Sequence, residues 1–335
     1  MKTVLRLTAL ALPLSLSACT TMAINMMVPT IEKLSSVGFQ KTDMEYVGTA
    51  MPASILQLEG MLTLSPKNAR LAKIVAEAKC GYAFGWIEPK DPQRAAEYYV
   101  EAKDLALRAL YDSNKKYRKA IDAGKPIHEA IDAIDDADAV PLLFQVANCW
   151  GNWLNVNKSD MSALFKVPAL MASMYKILEL DPSYFYGSIY MVFGAMYAAM
   201  PEMAGGGVER ARACFDKALE ASEGKFLLVH YMIAQSYATV LKDLSETDLF
   251  NPDKPFVRPE LAAKLDKRQM LRVVPCGVTE KPTPRDMTGA QIFDEMMRYI
   301  EETPATIEPN LALANTMAKD KAATLKSQRD EYFFD

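Results

Sequence analysis

Residues Ser183 to Asp243, SYFYGSIYMVFGAMYAAMPEMAGGGVERARACFDKALEASEGKFLLVHYMIAQSYATVLKD, decide the fold. Tyr190, Phe193, Gly194 and Tyr197 stand at the spacing large-x2-large-small-x2-large, which a helical period places on one side of a helix. After a loop, Ala211, Phe215 and Ala218 mark a second helix, with small residues on either side of a ring. The first pattern restarts at His230, Ile233, Ala234 and Tyr237, about 40 residues on. The small residues Gly194 and Ala234 let neighbouring helices approach, and the large ones fill the space between them. Helix pairs of this kind cover their apolar sides only by stacking on further pairs.

This spacing is that of a tetratricopeptide repeat, whose standard length is about 34 residues. The turn from Pro201 to Gly207 accounts for the extra length. Weaker copies come before it. Asn68 to Trp86 carries Leu71, Ile74, Val75, Ala78, Tyr82 and Trp86 at helical period, and Ala95, Tyr99 and Ala102 follow on a partner helix. Pro141 to Leu154 places Phe144, Ala147, Trp150, Gly151 and Leu154 near one side, and Met161 to Leu180 follows with a restart at Pro168. Ile31 to Phe39 and Ser54 to Leu64 read as shorter helices. Beyond Asp243, the stretch Asn251 to Arg285 holds six prolines and reads as an irregular excursion with one short helix near Leu261 to Met270. Helix returns at Gln291 to Glu301. A last helix after Pro309 carries Leu311, Ala314, Ala318, Ala322 and Leu325 on one face. The expected fold is all-α: a tetratricopeptide-like helical-repeat solenoid closed by a long C-terminal helix, one domain over 31–335 with a proline-rich insertion at about 251–285.

The N-terminus reads as a processing signal. Lys2 and Arg6 supply positive charge, and Leu7 to Ser17 form an apolar core too short to span a bilayer. Leu16-Ser17-Ala18-Cys19 has the form of a bacterial lipobox, so 1–18 is expected to be a lipoprotein signal peptide and Cys19 the lipid attachment site. Residues 19–30 then form an acylated tether to the membrane, Thr20 to Pro29 extending at most about 35 Å. Thr20 stands where an aspartate would direct retention in the inner membrane, so the periplasmic face of the outer membrane is the expected location.

Half of the chain is hydrophobic and its formal charge is −4, too small to direct it to nucleic acid. Its only histidines, His128 and His230, lie far apart, and no Cys-x2-Cys pair occurs. No metal site, cofactor or catalytic set is therefore expected. Gly205-Gly206-Gly207 lacks the Gly-Lys-Ser/Thr continuation of a P-loop and reads as an inter-helix turn. Of the cysteines after Cys19, Cys80 and Cys149 sit in equivalent-looking places on successive helical units, where a bridge is open. Cys214, beside Phe215, reads as a buried thiol. Tyr186, Tyr190, Phe193 and Tyr197 follow at i, i+4, i+7 and i+11, with Trp150 and Trp153 as a possible extension. Core packing and the lining of an apolar ligand groove both account for such a stripe.

The sequence resembles the T component of periplasmic TRAP transporters. The resemblance rests on the lipobox at Cys19, on Leu180-Asp181-Pro182-Ser183-Tyr184, and on Ala204-Gly205-Gly206-Gly207-Val208-Glu209-Arg210-Ala211. It continues through Phe215-Asp216-Lys217-Ala218-Leu219-Glu220, Gly224-Lys225, Tyr231 to Tyr237, and the ending Pro309-Asn310-Leu311-Ala312-Leu313-Ala314-Asn315. It implies a non-enzymatic, all-α periplasmic protein that associates with the substrate-binding P component of a TRAP system. It further implies trimers with a hydrophobic channel through each subunit, able to pass or hold an apolar small molecule. A tetratricopeptide scaffold lipoprotein for envelope or outer-membrane protein assembly is the other class the repeats admit.

Overall fold

Helices start where short polar side chains can close their first turn. In the computed structural model, which describes residues 2–157, 159–251 and 254–333, with side chains from Thr20 onward apart from that of Leu164, Asn68 accepts the Leu71 N–H at 2.9 Å. Asp91 accepts that of Arg94 at 3.0 Å, and Asn114 that of Tyr117 at 2.9 Å. Ser245 with Asp248, Asp266 with Gln269, and Thr288 with Gln291 form reciprocal capping boxes. The chain is all-α. Among the described residues strand pairing is limited to an isolated bridge between Ser245 and Thr288.

The chain divides into two compact units, residues 1–38 with 45–176 and residues 39–44 with 177–335. The first holds α1 (Lys2–Phe39), α2 (Met44–Leu64), α3 (Ala69–Tyr82), α4 (Pro92–Ser113), α5 (Lys115–Asp122), α6 (Ile127–Asp132) and α7 (Val140–Val156). A 3-10 stretch, Met161–Lys166, precedes α8 (Val167–Leu180), so the helix restarts one residue before Pro168, and its last four residues belong to the second unit. Helix α4 packs on α3 and α7, which also touch one another. Ala95, Tyr99 and Ala102, the earlier repeat's second-helix positions, are all fully buried. Lys79 on α3 reaches Glu59 at 2.6 Å and Glu101 at 2.5 Å, tying α3 to α2 and α4. Burial works against its charge, but the two carboxylates outweigh it and hold its pKa above the ordinary lysine value.

Residues 20–29 are helical, where the sequence reads as an extended tether. Ile24, Val28 and Ile31 pack on Leu71 and Ile74, with Leu58, Met61 and Leu62 against them, so this part of α1 belongs to the first unit's core. Apolar residues at three- and four-residue intervals make that packing available, and Pro29 does not interrupt the helix. The side chains of residues 1–18 and of Cys19, the expected acylation site, lie outside the described residues. Among the described residues no helix is long and apolar enough to cross a membrane.

The second unit holds α9 (Tyr184–Ala199), α10 (Val208–Ala221), α11 (Leu227–Met232), α12 (Thr239–Leu241), α13 (Glu246–Leu249), α14 (Pro259–Ala262), α15 (Lys267–Val273), α16 (Gly289–Glu302), α17 (Ala312–Ser327) and α18 (Arg329–Tyr332). Helix α9 packs along α10, and α11 lies against α16 and α17. Asn315 of α17, fully buried, accepts the Leu227 N–H at 2.9 Å and donates to Lys225 O at 3.0 Å and Ala305 O at 3.1 Å.

Each unit contains a π-helical turn. Ala83–Ile87 continues α3, and Ile233–Ala238 joins α11 to α12. In each unit a glycine from a neighbouring helix closes on this turn. A Cβ at Gly48 would fall 2.2 Å from Trp86 Nε1, and one at Gly289 would fall 2.3 Å from Ala238 O.

Candidate functional site

Gly194 of α9 faces the Phe215 ring of α10, where an added Cβ would stand 2.9 Å from the ring. Phe215 in turn meets Tyr237 edge-to-face at 6.2 Å, and Ala234 is fully buried. The small positions bring these helices together, as the spacing predicts.

The aromatic stripe is broken at its first member. Phe185, Tyr186 and Gly187 adopt left-handed backbone with φ of 47°, 57° and 65°, so Tyr186 leaves the face shared by Tyr190, Phe193 and Tyr197. Phe193 and Tyr197 are buried with ring centres 6.0 Å apart. Tyr190 is half-buried, and loss of solvent raises its phenol pKa. Tyr186, also half-buried, has its phenol pKa raised by burial and by the Glu308 charge. Trp150 and Trp153 belong to the first unit, where Trp150 is buried with Lys103 Nζ 4.8 Å from its ring centre and Trp153 is half-buried. Phe193, Tyr197 and Trp150 thus contribute to cores, while Tyr186, Tyr190 and Trp153 keep surface that a ligand could touch.

A shallow hollow beside Tyr197 is walled by Arg210, Cys214, Phe256, Val274 and Cys276. Its empty volume of about 190 Å³, open solvent included, is below the roughly 300 Å³ at which ligand pockets begin. The glycine turn beside it has no N–H to offer an anion. Gly205 N donates to Glu202 O, Gly206 N to Pro201 O, and Gly207 N to Tyr197 O and Met200 O.

The proline-rich excursion is fastened along α10, which sequence reading missed. Cys214 is bonded to Cys276, with Cα atoms 5.1 Å apart, and is therefore not the buried thiol expected from its neighbour Phe215. Glu209, buried at the start of α10, accepts the Asn251 N–H at 2.6 Å and pairs with half-buried Lys281. Arg210 donates to Val273 O at 2.8 Å and lies over the Phe256 ring at 5.0 Å. Arg212 meets Glu246 at 2.6 and 2.7 Å. Glu246, with no exposed surface, also takes the Tyr237 hydroxyl at 2.8 Å, the Arg285 N–H at 2.8 Å and Arg285 Nη2 at 2.7 Å. Burial alone would raise the Glu246 pKa, but hydrogen bonds from Arg285 and the Arg212 charge hold it below the usual carboxylate value. The one local signal of this hub is the Ser-Glu-Thr-Asp capping pattern around Glu246. Its partners are distant in sequence.

Cys80 and Cys149 are buried free thiols. His230, at a repeat position, stacks on Tyr299 at 4.1 Å and donates from Nε2 to Gly224 O at 3.0 Å. Burial lowers its pKa to about 4, so it is neutral at physiological pH. Among the described residues no group of three or more His, Cys, Asp and Glu side chains stands where it could hold a metal ion.

The chain is similar to an uncharacterized protein of Treponema pallidum (strain Nichols), 22% identical over 193 residues, or 53% of this chain and 59% of that protein. The chain therefore matches less than two thirds of that relative's length. The family model of the TRAP transporter T-component matches residues 40–250, a span that runs from α2 through both copies of the opening repeat. That family is an accessory transport component and not a known enzyme family. The chain belongs to the TRAP transporter T-component family.

Proposed function

We propose that this protein is a periplasmic, lipid-anchored accessory component of a TRAP-type uptake system, which docks the substrate-binding P component and passes or holds an apolar ligand. The family match over 40–250 carries this reading. The helix pairs stack as a tetratricopeptide-like solenoid in it, and Tyr186, Tyr190 and Trp153 present the half-exposed rings suited to an apolar ligand. The chain assembles as a homotrimer, and Cys19 bears the acyl chains that hold it to the outer membrane, where two or more chains give stable anchoring.

The test is association with the cognate P component, followed by analytical ultracentrifugation of the two purified bodies. A joint sedimenting species supports the reading, and independent sedimentation at high concentration of both sinks it. Anchoring is tested separately by labelling cells with radioactive palmitate. Wild-type chain is expected to take up label and Cys19→Ser to lose it, and equal labelling refutes the anchor.

A further inference from the structure

We propose that the outward side of α1 after Cys19, built on Met22 and Met26, lies in the phospholipid leaflet that receives the acyl chains, so that the first unit sits on the membrane without a flexible spacer. The inference rests on the anchor at Cys19 proposed above. From Thr20 to Ile31 the helix carries no charged side chain. Its inner side, Ile24, Val28 and Ile31, packs in the first unit's core. Its outer side leaves Met22 65% and Met26 72% exposed. A helix at a water surface turns charged and polar residues outward, whereas one that is apolar on both sides is covered on both. The anchor sets what the cover is. Position 19 precedes Met22 by three residues and Met26 by seven, the register that shares one side of a helix, opposite Ile24, Val28 and Ile31.

The chain between anchor and body has no slack. Thr21 Oγ1 donates to Leu64 O at 2.8 Å, and Asn25 Oδ1 accepts from Ser65 Oγ at 2.7 Å and from Asn68 Nδ2 at 2.6 Å. At about 1.5 Å per residue, Met22 stands roughly 5 Å along the axis from position 19 and Met26 roughly 10 Å. An interfacial helix sinks its apolar side about 5–10 Å into the boundary between headgroups and acyl chains. Acyl chains that enter the leaflet at position 19 therefore bring both methionines into that layer. Unbranched thioether side chains adapt to such irregular apolar surroundings. Exposed Leu64 stands at the same end of the unit, beside Thr21. Exposed Lys67 lies between Ser65 and Asn68, where its ammonium meets anionic headgroups.

The experiment couples the mature chain, residues 19–335, through Cys19 to a maleimide lipid in vesicles of phosphatidylethanolamine and phosphatidylglycerol, so that the anchor is supplied whether or not cells acylate it. Cys80 and Cys149 are buried and Cys214 is bonded to Cys276, which leaves position 19 for the maleimide. Brief treatment with chloramine-T and peptide mass spectrometry then report the sulfoxide at each methionine. Met203 of the second unit, 95% exposed, is the internal reference. Oxidation of Met22 and Met26 relative to Met203 should slow at least about tenfold on the vesicles compared with the uncoupled chain, and an unchanged ratio would overturn the proposal. Protection that grows with protein concentration in the absence of vesicles would also overturn it, and would assign the face to a second copy of the chain. With a single saturated acyl chain on Cys19, whose hold alone is marginal, the Met22→Gln, Met26→Gln pair should cut vesicle co-sedimentation about tenfold and leave thermal unfolding in place. Equal co-sedimentation refutes the membrane face, and a lowered unfolding temperature refutes it by showing that the two methionines serve the core. Failure of the anchor itself reads differently, as absent palmitate label in cells with both methionines still protected on coupled vesicles.

Discussion

Replacing Gly194 probes the contact on which the repeat depends. A Cβ at this position would stand 2.9 Å from two atoms of the Phe215 ring and 3.0 Å from a third. The ring cannot retreat, because Phe215 is buried and its other side meets Tyr237. Overpacking of this kind costs about 1–3 kcal/mol. Replacing a mid-helix glycine by alanine returns up to about 1 kcal/mol of helix propensity. Gly194→Ala should therefore destabilise by about 1 kcal/mol net, the middle of the overpacking range less that gain. Gly194→Val adds two methyls against the same ring and recovers less propensity, for about 3 kcal/mol. Urea unfolding followed by far-UV circular dichroism reads the difference. With a slope of about 3 kcal/mol per molar, the valine variant should lose roughly 1 M in midpoint. Phe215→Leu in the same chain should relieve part of the cost, with a coupling of about 1 kcal/mol. A valine variant as stable as wild type, or effects that simply add, would refute the close approach of α9 and α10.

Four further outcomes follow from the second unit. Opening the Cys214–Cys276 bridge, which spans 62 positions, with the Cys214→Ser, Cys276→Ser pair should cost up to about 4 kcal/mol through the freed unfolded chain. An unchanged unfolding midpoint would show that the bridge constrains nothing. His230 has its folded pKa depressed to about 4, so its contribution is complete above the unfolded value near 6.5 and fades as pH falls toward 4, by up to about 3 kcal/mol. His230→Phe should flatten that limb of the stability–pH curve, and an identical limb in the variant would count against a neutral, stacked His230. Glu246 is also depressed, so its contribution holds above the ordinary carboxylate pKa and is lost as pH falls through the lowered one. Glu246→Gln should be less stable at neutral pH and lose less below pH of about 4, and parallel acid curves would argue against the Arg212–Glu246–Arg285 cluster. Asn315→Leu strips the partners from Leu227 N, Lys225 O and Ala305 O, for about 2–4 kcal/mol; near-neutral denaturation would mean that water replaces them.

The repeat was legible because its contacts are encoded at short spacing. Gly194, Phe215, Ala234 and Tyr237 declare their packing through intervals of a few residues, and so do Ala95, Tyr99 and Ala102 in the first unit. What escaped depends on partners far along the chain or on backbone states that composition does not encode. Glu209 gives no hint of Lys281, nor Cys214 of Cys276, and the prolines of 251–285 obscure a segment held at several points on one helix. The stripe through Tyr186 assumed helical backbone where three successive left-handed residues intervene. The lipobox points to a tether over residues 20–29, yet Ile24, Val28 and Ile31 have the intervals of a packed helix. At the candidate ligand surface, spacing identified which rings lie near one face but could not separate those that fill the core from those that stay half-exposed.

The π turns bear on how much change these helices can absorb. Buried positions run in steps of four through both of them: Val75, Lys79, Ala83 and Ile87 in one, His230, Ala234 and Ala238 in the other. On a regular helix each such step overshoots by about 40°, so the line would wind away from its neighbour within a few turns. The wider turn takes up that drift, with one surplus residue stored in the backbone. Removing that residue, Ser236 for instance, would restore an ordinary helix while advancing everything after it by one position. The contacts of α12 with α16 would then be rotated out of phase. The surplus residue acts as a phase correction, and single-residue deletions here should be felt downstream of the turn more than within it.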